Sequence, residues 1–74
     1  MPRTPRISGT QVIRALRKMG FQVARTRGSH QLLTHPDGRR TVVPVHSREM
    51  IGPGLLAKIL RDCDLTPEEL RSLL

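Results

Sequence analysis

An α+β fold with the element order α-β-β-β-α-α is predicted by three observations on the sequence. Apolar residues recur at helical spacing toward both ends of the chain, β-branched residues alternate in its middle, and turns bearing glycine or proline separate the segments. The length of 74 residues gives room for one domain, read over residues 1–74. A chain of this size buries roughly 60% of its unfolded surface, so a large internal substrate cavity is not expected.

Each element has its own local justification. Residues 1–7, MPRTPRI, form a basic arm broken by prolines and expected to be loose. Ser8 and Gln11 have the Ser-x-x-Gln spacing of a capping box, in which each side chain satisfies an exposed backbone amide of the other. Val12, Ile13, Leu16 and Met19 then make an apolar stripe read as core, Arg14, Arg17 and Lys18 fall toward the other side, and Gly20 ends the helix.

The segments FQVARTR, SHQLLTH and RTVVPVH predict three strands of an antiparallel meander. Gly28 marks a tight connection between the first two. HPDG, from His35 to Gly38, makes the next turn: proline fixes φ, Asp37 caps its own backbone and Gly38 supplies a positive φ. Pro44 lacks a ladder donor, which places the third strand at an edge or at a bulge.

SREMIGPG reads as a loop, with Pro53 opening the next helix. Leu55, Leu56, Ile59, Leu60 and Cys63 are expected to lie on the sheet as one apolar stripe. The last helix starts at Thr66, with Pro67 at its first position, Glu69 completing a capping box and Leu65 stapled onto Leu70. One sheet face is then covered by helices, and the other is open to a ligand.

The formal net charge is +7, and it is unevenly distributed. Up to Arg40 there are nine Lys or Arg against the single acid Asp37, a net of +8; from Thr41 onward four cations meet five acids, a net of −1. Eleven of the thirteen cations are arginine, suited to bidentate phosphate contact. Nucleic acid is the leading partner class, with a merely solvated face as the alternative. Cys63 stands alone, so no internal disulfide forms, and the chain shows neither a signal-peptide pattern nor an apolar run long enough to span a bilayer. The expectation is a soluble, reducing, cytoplasmic setting without a membrane.

His30, His35, His46 and Cys63 invite a metal reading, but their spacings are not those of zinc sites, and His30 and His35 lie an odd number of residues apart on one strand. Ser29 and His30 are adjacent and point apart, which disfavours a Ser-His nucleophilic pair. No paired carboxylates accompany the histidines, which removes glycosidase-like chemistry. A histidine among arginines on an open sheet remains. An imidazole, with a reference pKa of about 6.5, exchanges protons near neutral pH. RNA carries its own nucleophile, the 2′-hydroxyl, so a metal-free ribonuclease needs only proton transfer and charge stabilisation at phosphorus. His30 as an ordinary strand residue beside a turn is the competing reading.

LRKMGF, then RTRGSHQLLTHPDGRRTVVPVH, then GPGLLAKILRDCDLTPEEL resemble, in that order, the HicA-type toxin family of small messenger-RNA-cleaving toxins. The resemblance runs from Ser8 to about Leu70, and the order of its motifs makes it specific. It implies a double-stranded-RNA-binding-domain-like fold, a catalytic role for the histidine of Gly-Ser-His, here His30, and inhibition by a cognate HicB-type antitoxin. Gln31 follows that histidine, where many members carry a second histidine or a bulky residue.

The leading hypothesis is thus a metal-independent endoribonuclease toxin acting on messenger RNA, with no cofactor. His30 acts as general base or acid, Arg25, Arg27, Arg39 and Arg40 hold phosphates, and Gly28 and Ser29 form a turn that lets the backbone approach RNA. The second proton-transfer group stays open between His46 and an arginine-bound water. The alternative is a non-catalytic RNA-binding module of the same fold, reading shape and phosphate without needing His30. A DNA-binding repressor ranks last, because no helix-turn-helix pair carries the cations.

Overall fold

A computed structural model describes residues 6–46 and 49–74. Its order is α1 (Gly9–Lys18), β1 (Gln22–Arg27), β2 (His30–Thr34), β3 (Arg40–Pro44), α2 (Pro53–Cys63) and α3 (Pro67–Leu73). This is the expected α+β order, α-β-β-β-α with an additional C-terminal helix around an antiparallel sheet of order β1-β2-β3.

Local chemistry sets the helix ends. Ser8 Oγ accepts from the Gln11 N–H while Gln11 Oε1 accepts from the Ser8 N–H at 2.9 Å. At the other end the Phe21 N–H reaches Leu16 O and the Gly20 N–H reaches Arg17 O, the paired bonds of a Schellman stop that Gly20 permits with its φ of 102°. Thr66 and Glu69 form the corresponding box on α3.

The helices pack on one face of the sheet. Val12 and Leu16 of α1, Leu56, Ile59 and Cys63 of α2, Leu70 of α3 and the sheet residues Leu33 and Val43 are all buried, with Phe21 between α1 and the sheet. Gly9 meets β3 so closely that a Cβ there would lie 2.1 Å from the Pro44 carbonyl oxygen. No helix among the described residues is long and apolar enough to cross a membrane.

The structure corrects two expectations. The loose arm predicted over residues 1–7 does not extend to its last residue, since Ile7 is only 3% exposed and its carbonyl accepts from the Ile51 N–H at 2.8 Å, beside a bridge between Ser8 and Met50. Burial and pairing therefore anchor the chain at Ile7, while residues 1–5 of that arm lie outside the described residues. Leu55 does not join the stripe of α2: it is 37% exposed at the first turn, on the wall of a surface groove, while Leu56 beside it is fully buried.

Candidate functional site

The sheet register decides which side chains meet. Cross-strand partners in an antiparallel ladder share a face. His30 is paired with Arg27 on β1 and with Pro44 on β3; Leu32 is paired with Arg25 and Val42, and Thr34 with Arg40. The other parity, Leu33 with Thr41 and Gln31 with Val43, points to the helices, since Leu33, Thr41 and Val43 are buried. The open face therefore gathers Arg25, Arg27, His30, Leu32, Arg40, Val42 and Pro44. His30 and all three of these arginines are exposed.

A β-bulge interrupts β1 just beyond this gathering. Val23 is opposite Leu33 and Arg25 is opposite Leu32, so β1 carries one residue more than β2 at Ala24. In an unbroken strand Val23, Arg25 and Arg27 would share one face. The two-residue turn sets Arg27, and by alternation Arg25, on the face of His30; the extra residue takes Val23 off that face to pair with Leu33, where it stays 37% exposed, a re-aiming that bulges commonly perform.

The hairpin turn is as compact as its sequence allows. Gly28 and Ser29 alone separate the paired Arg27 and His30, and Gly28 has a φ of 59° with open space where a Cβ would stand. A two-residue hairpin loop with glycine first and positive φ matches the twist of its strands. Ser29 O also accepts from the Val45 N–H at 2.6 Å, so pairing with the third segment continues beyond β3.

Arg39, grouped with the phosphate-holding arginines on sequence grounds, is engaged elsewhere. Its Nε donates to Asp37 Oδ2 at 2.9 Å, its Nη1 donates to Cys63 O, and its guanidinium carbon lies 5.2 Å from the centroid of the Phe21 ring. The Arg39 N–H, and with it the guanidinium, holds the Asp37 carboxyl below its ordinary pKa. His35 belongs to the same clamp. Its Nε2 is 3.0 Å from Met19 O and must donate there, while its Nδ1 accepts from the Asp37 N–H at 3.1 Å. Asp37 Oδ1 also lies 3.0 Å from Nδ1, the contact a charged ring would use. His35, Phe21 and Arg39 thus fasten the second turn to the ends of α1 and α2, away from His30.

His46 is half exposed, with Nδ1 4.0 Å from Glu49 Oε2. It lines a groove of about 240 Å³ with Pro44, Glu49, Met50, Gly52 and Leu55. That groove begins at Pro44, the direct partner of His30. Cys63 is buried, and burial, with the nearby Asp62 carboxylate adding to it, pushes its thiol up to about 11, so it is protonated and inert at neutral pH. Among the described residues no three His, Cys, Asp or Glu side chains come together as a metal set.

Alternation outward from His30 finds Leu32 and Thr34 on its face, and no signal in composition finds the bulge. Compared with known proteins, the sequence matches, over residues 9–65, the family described as the HicA toxin of bacterial toxin-antitoxin systems. No curated protein matches it.

Proposed function

The chain belongs to the HicA toxin family of bacterial toxin-antitoxin systems, and on that premise we propose that it is a metal-independent endoribonuclease that cleaves messenger RNA in the cytoplasm. The observation that carries this reading is the placement of exposed His30 directly across from Arg27, on a sheet face that also bears Arg25 and Arg40. The guanidinium groups hold the phosphates on either side of the scissile bond, and the Gly28–Ser29 turn lets the backbone come close to the strand. His30 accepts the proton of the 2′-hydroxyl as its oxygen attacks phosphorus, and the facing arginine stabilises the charge that builds there. Arg39 is left out of this assignment, because its donors serve the second turn.

The same face is where a HicB-type antitoxin acts. Covering His30 removes access to RNA, and a cationic patch favours an acidic partner through complementary potential. The test is cleavage of a messenger RNA by the purified protein in excess chelator, wild type against His30→Ala. A fall in cleavage of two orders of magnitude or more, the roughly 10²–10⁴ expected for a proton-transfer group, with unchanged far-ultraviolet dichroism, supports the reading. Equal cleavage by the two proteins rejects His30, and retained RNA binding without cleavage by either protein makes the domain a binding module.

A further inference from the structure

We infer that His46 is the second proton-transfer residue of this site, delivering a proton to the departing 5′-oxygen. The inference rests on the ribonuclease reading of His30. Of the three histidines, His35 has both ring nitrogens committed to Met19 O and the Asp37 backbone. His46 has no such commitment: its side chain is 51% exposed and no hydrogen bond ties its ring among the described residues.

The ladder sets its position relative to His30. Pro44 is the direct partner of His30, and the Val45 N–H to Ser29 O bond carries the pairing past the end of β3. His46, two residues beyond Pro44, takes the place of a diagonal neighbour, roughly 7–8 Å from His30 in a regular ladder. That separation leaves room for one phosphate between two imidazoles. The groove shared by Pro44 and His46 opens at the same place, and its walls of Met50 and Leu55 are exposed apolar surface suited to one nucleobase beside the cut. Its volume of about 240 Å³ is below the roughly 300–1,000 Å³ of pockets for larger ligands. Phe21, the only aromatic residue, is buried and offers no stacking surface.

The neighbours of the two rings differ in sign, and this assigns their roles. A carboxylate of Glu49 stands 4.0 Å from His46, the proton donor, whereas Arg27 is opposite His30, the acceptor. In the step, the 2′-oxygen bonds to phosphorus as its proton passes to His30. The bond from phosphorus to the 5′-oxygen breaks as that oxygen takes a proton from His46. The products are a 2′,3′-cyclic phosphate and a 5′-hydroxyl; His30 then releases its proton to water and His46 regains one, so protons balance.

The experiment compares two substrates, an all-oxygen oligoribonucleotide and its counterpart with a bridging 5′-sulfur at the cut site, whose thiolate leaves without protonation. His46→Ala is expected to slow cleavage of the oxygen substrate by about 10²–10⁴-fold and to cut the sulfur substrate within a few-fold of wild type, whereas His30→Ala is slow on both. Cleavage of the oxygen substrate by His46→Ala at the wild-type rate overturns the inference, as does an equal slowing on both substrates. Wild-type protein that cuts neither substrate overturns the ribonuclease reading itself, and this inference with it.

Discussion

Arg27 and His30 face each other across a two-residue turn, the last residue of β1 against the first of β2. The two-residue turn sets this pairing, and it puts a permanent cation beside an imidazole.

RNA affinity should respond to salt through the arginines of this face. Removing one phosphate-binding cation should shallow the dependence of log affinity on log salt by about 0.7 on single strands. Replacing Arg25 and Arg27 by alanine together should reduce the slope by roughly 1–1.5, while Arg39→Ala leaves it unchanged. Binding titrations from low to moderate salt measure it, and a slope unaffected by the double change would remove these arginines from the interface.

Arg39→Ala should instead destabilise the fold. Its charge-assisted bond to Cys63 O is worth about 1.5–3 kcal/mol, and the half-exposed Asp37 partner adds little. For a domain of this size each kcal/mol moves Tm by about 4–8 °C. Thermal melts showing no decrease would mean that the clamp on Phe21 is slack.

Two glycines should respond oppositely to alanine. Gly9→Ala drives a methyl group into the Pro44 carbonyl and should cost about 1–3 kcal/mol as the sheet shifts. Gly54, in the first turn of α2 with open space around it, should gain up to about 1 kcal/mol from the higher helix propensity of alanine. Denaturant midpoints of the two variants provide the comparison.

Acid stability follows from Asp62. The Lys58 ammonium, helped by the hydroxyl of buried Thr41, both at 2.9 Å, holds its carboxyl below the ordinary value of 3.8 against the cost of burial. A depressed folded pKa stabilises the protein fully above the unfolded value, and that contribution fades as pH falls through 3.8 toward the folded value. Asp62→Asn should flatten the decline of Tm below about pH 4 and leave the neutral-pH slope unaltered. An unchanged acid limb would show that other carboxylates set it.

Much of this architecture is local and therefore legible in the sequence. The Ser8–Gln11 and Thr66–Glu69 boxes, the Gly20 stop and the HPDG turn satisfy their own backbone groups within a few residues, so their spacing suffices to place them. His30 could be singled out because it sits at a turn among arginines. The roles of those arginines could not, because Arg39 and Arg40 are adjacent in the chain and differ only in what surrounds them. Arg40 lies on the open face, opposite Thr34, while Arg39 finds the carbonyl of Cys63, twenty-four residues away.

The order of helices and strands, the two turns and the cationic half of the chain can all be read along the residues, since each depends on spacing, backbone freedom or charge. Which side chains meet is settled only when the strands pair. One unpaired residue at Ala24 reverses the parity of β1 beyond Arg25, so that Val23 pairs with Leu33 instead of sharing the face of Arg25, Arg27 and His30. The closure of β3 against β2 sets Pro44 opposite His30, and the Val45 N–H bond to Ser29 O carries the chain on beside the first turn. Both outcomes depend on register between segments that the chain holds apart, where a shift of one residue exchanges the faces of the sheet.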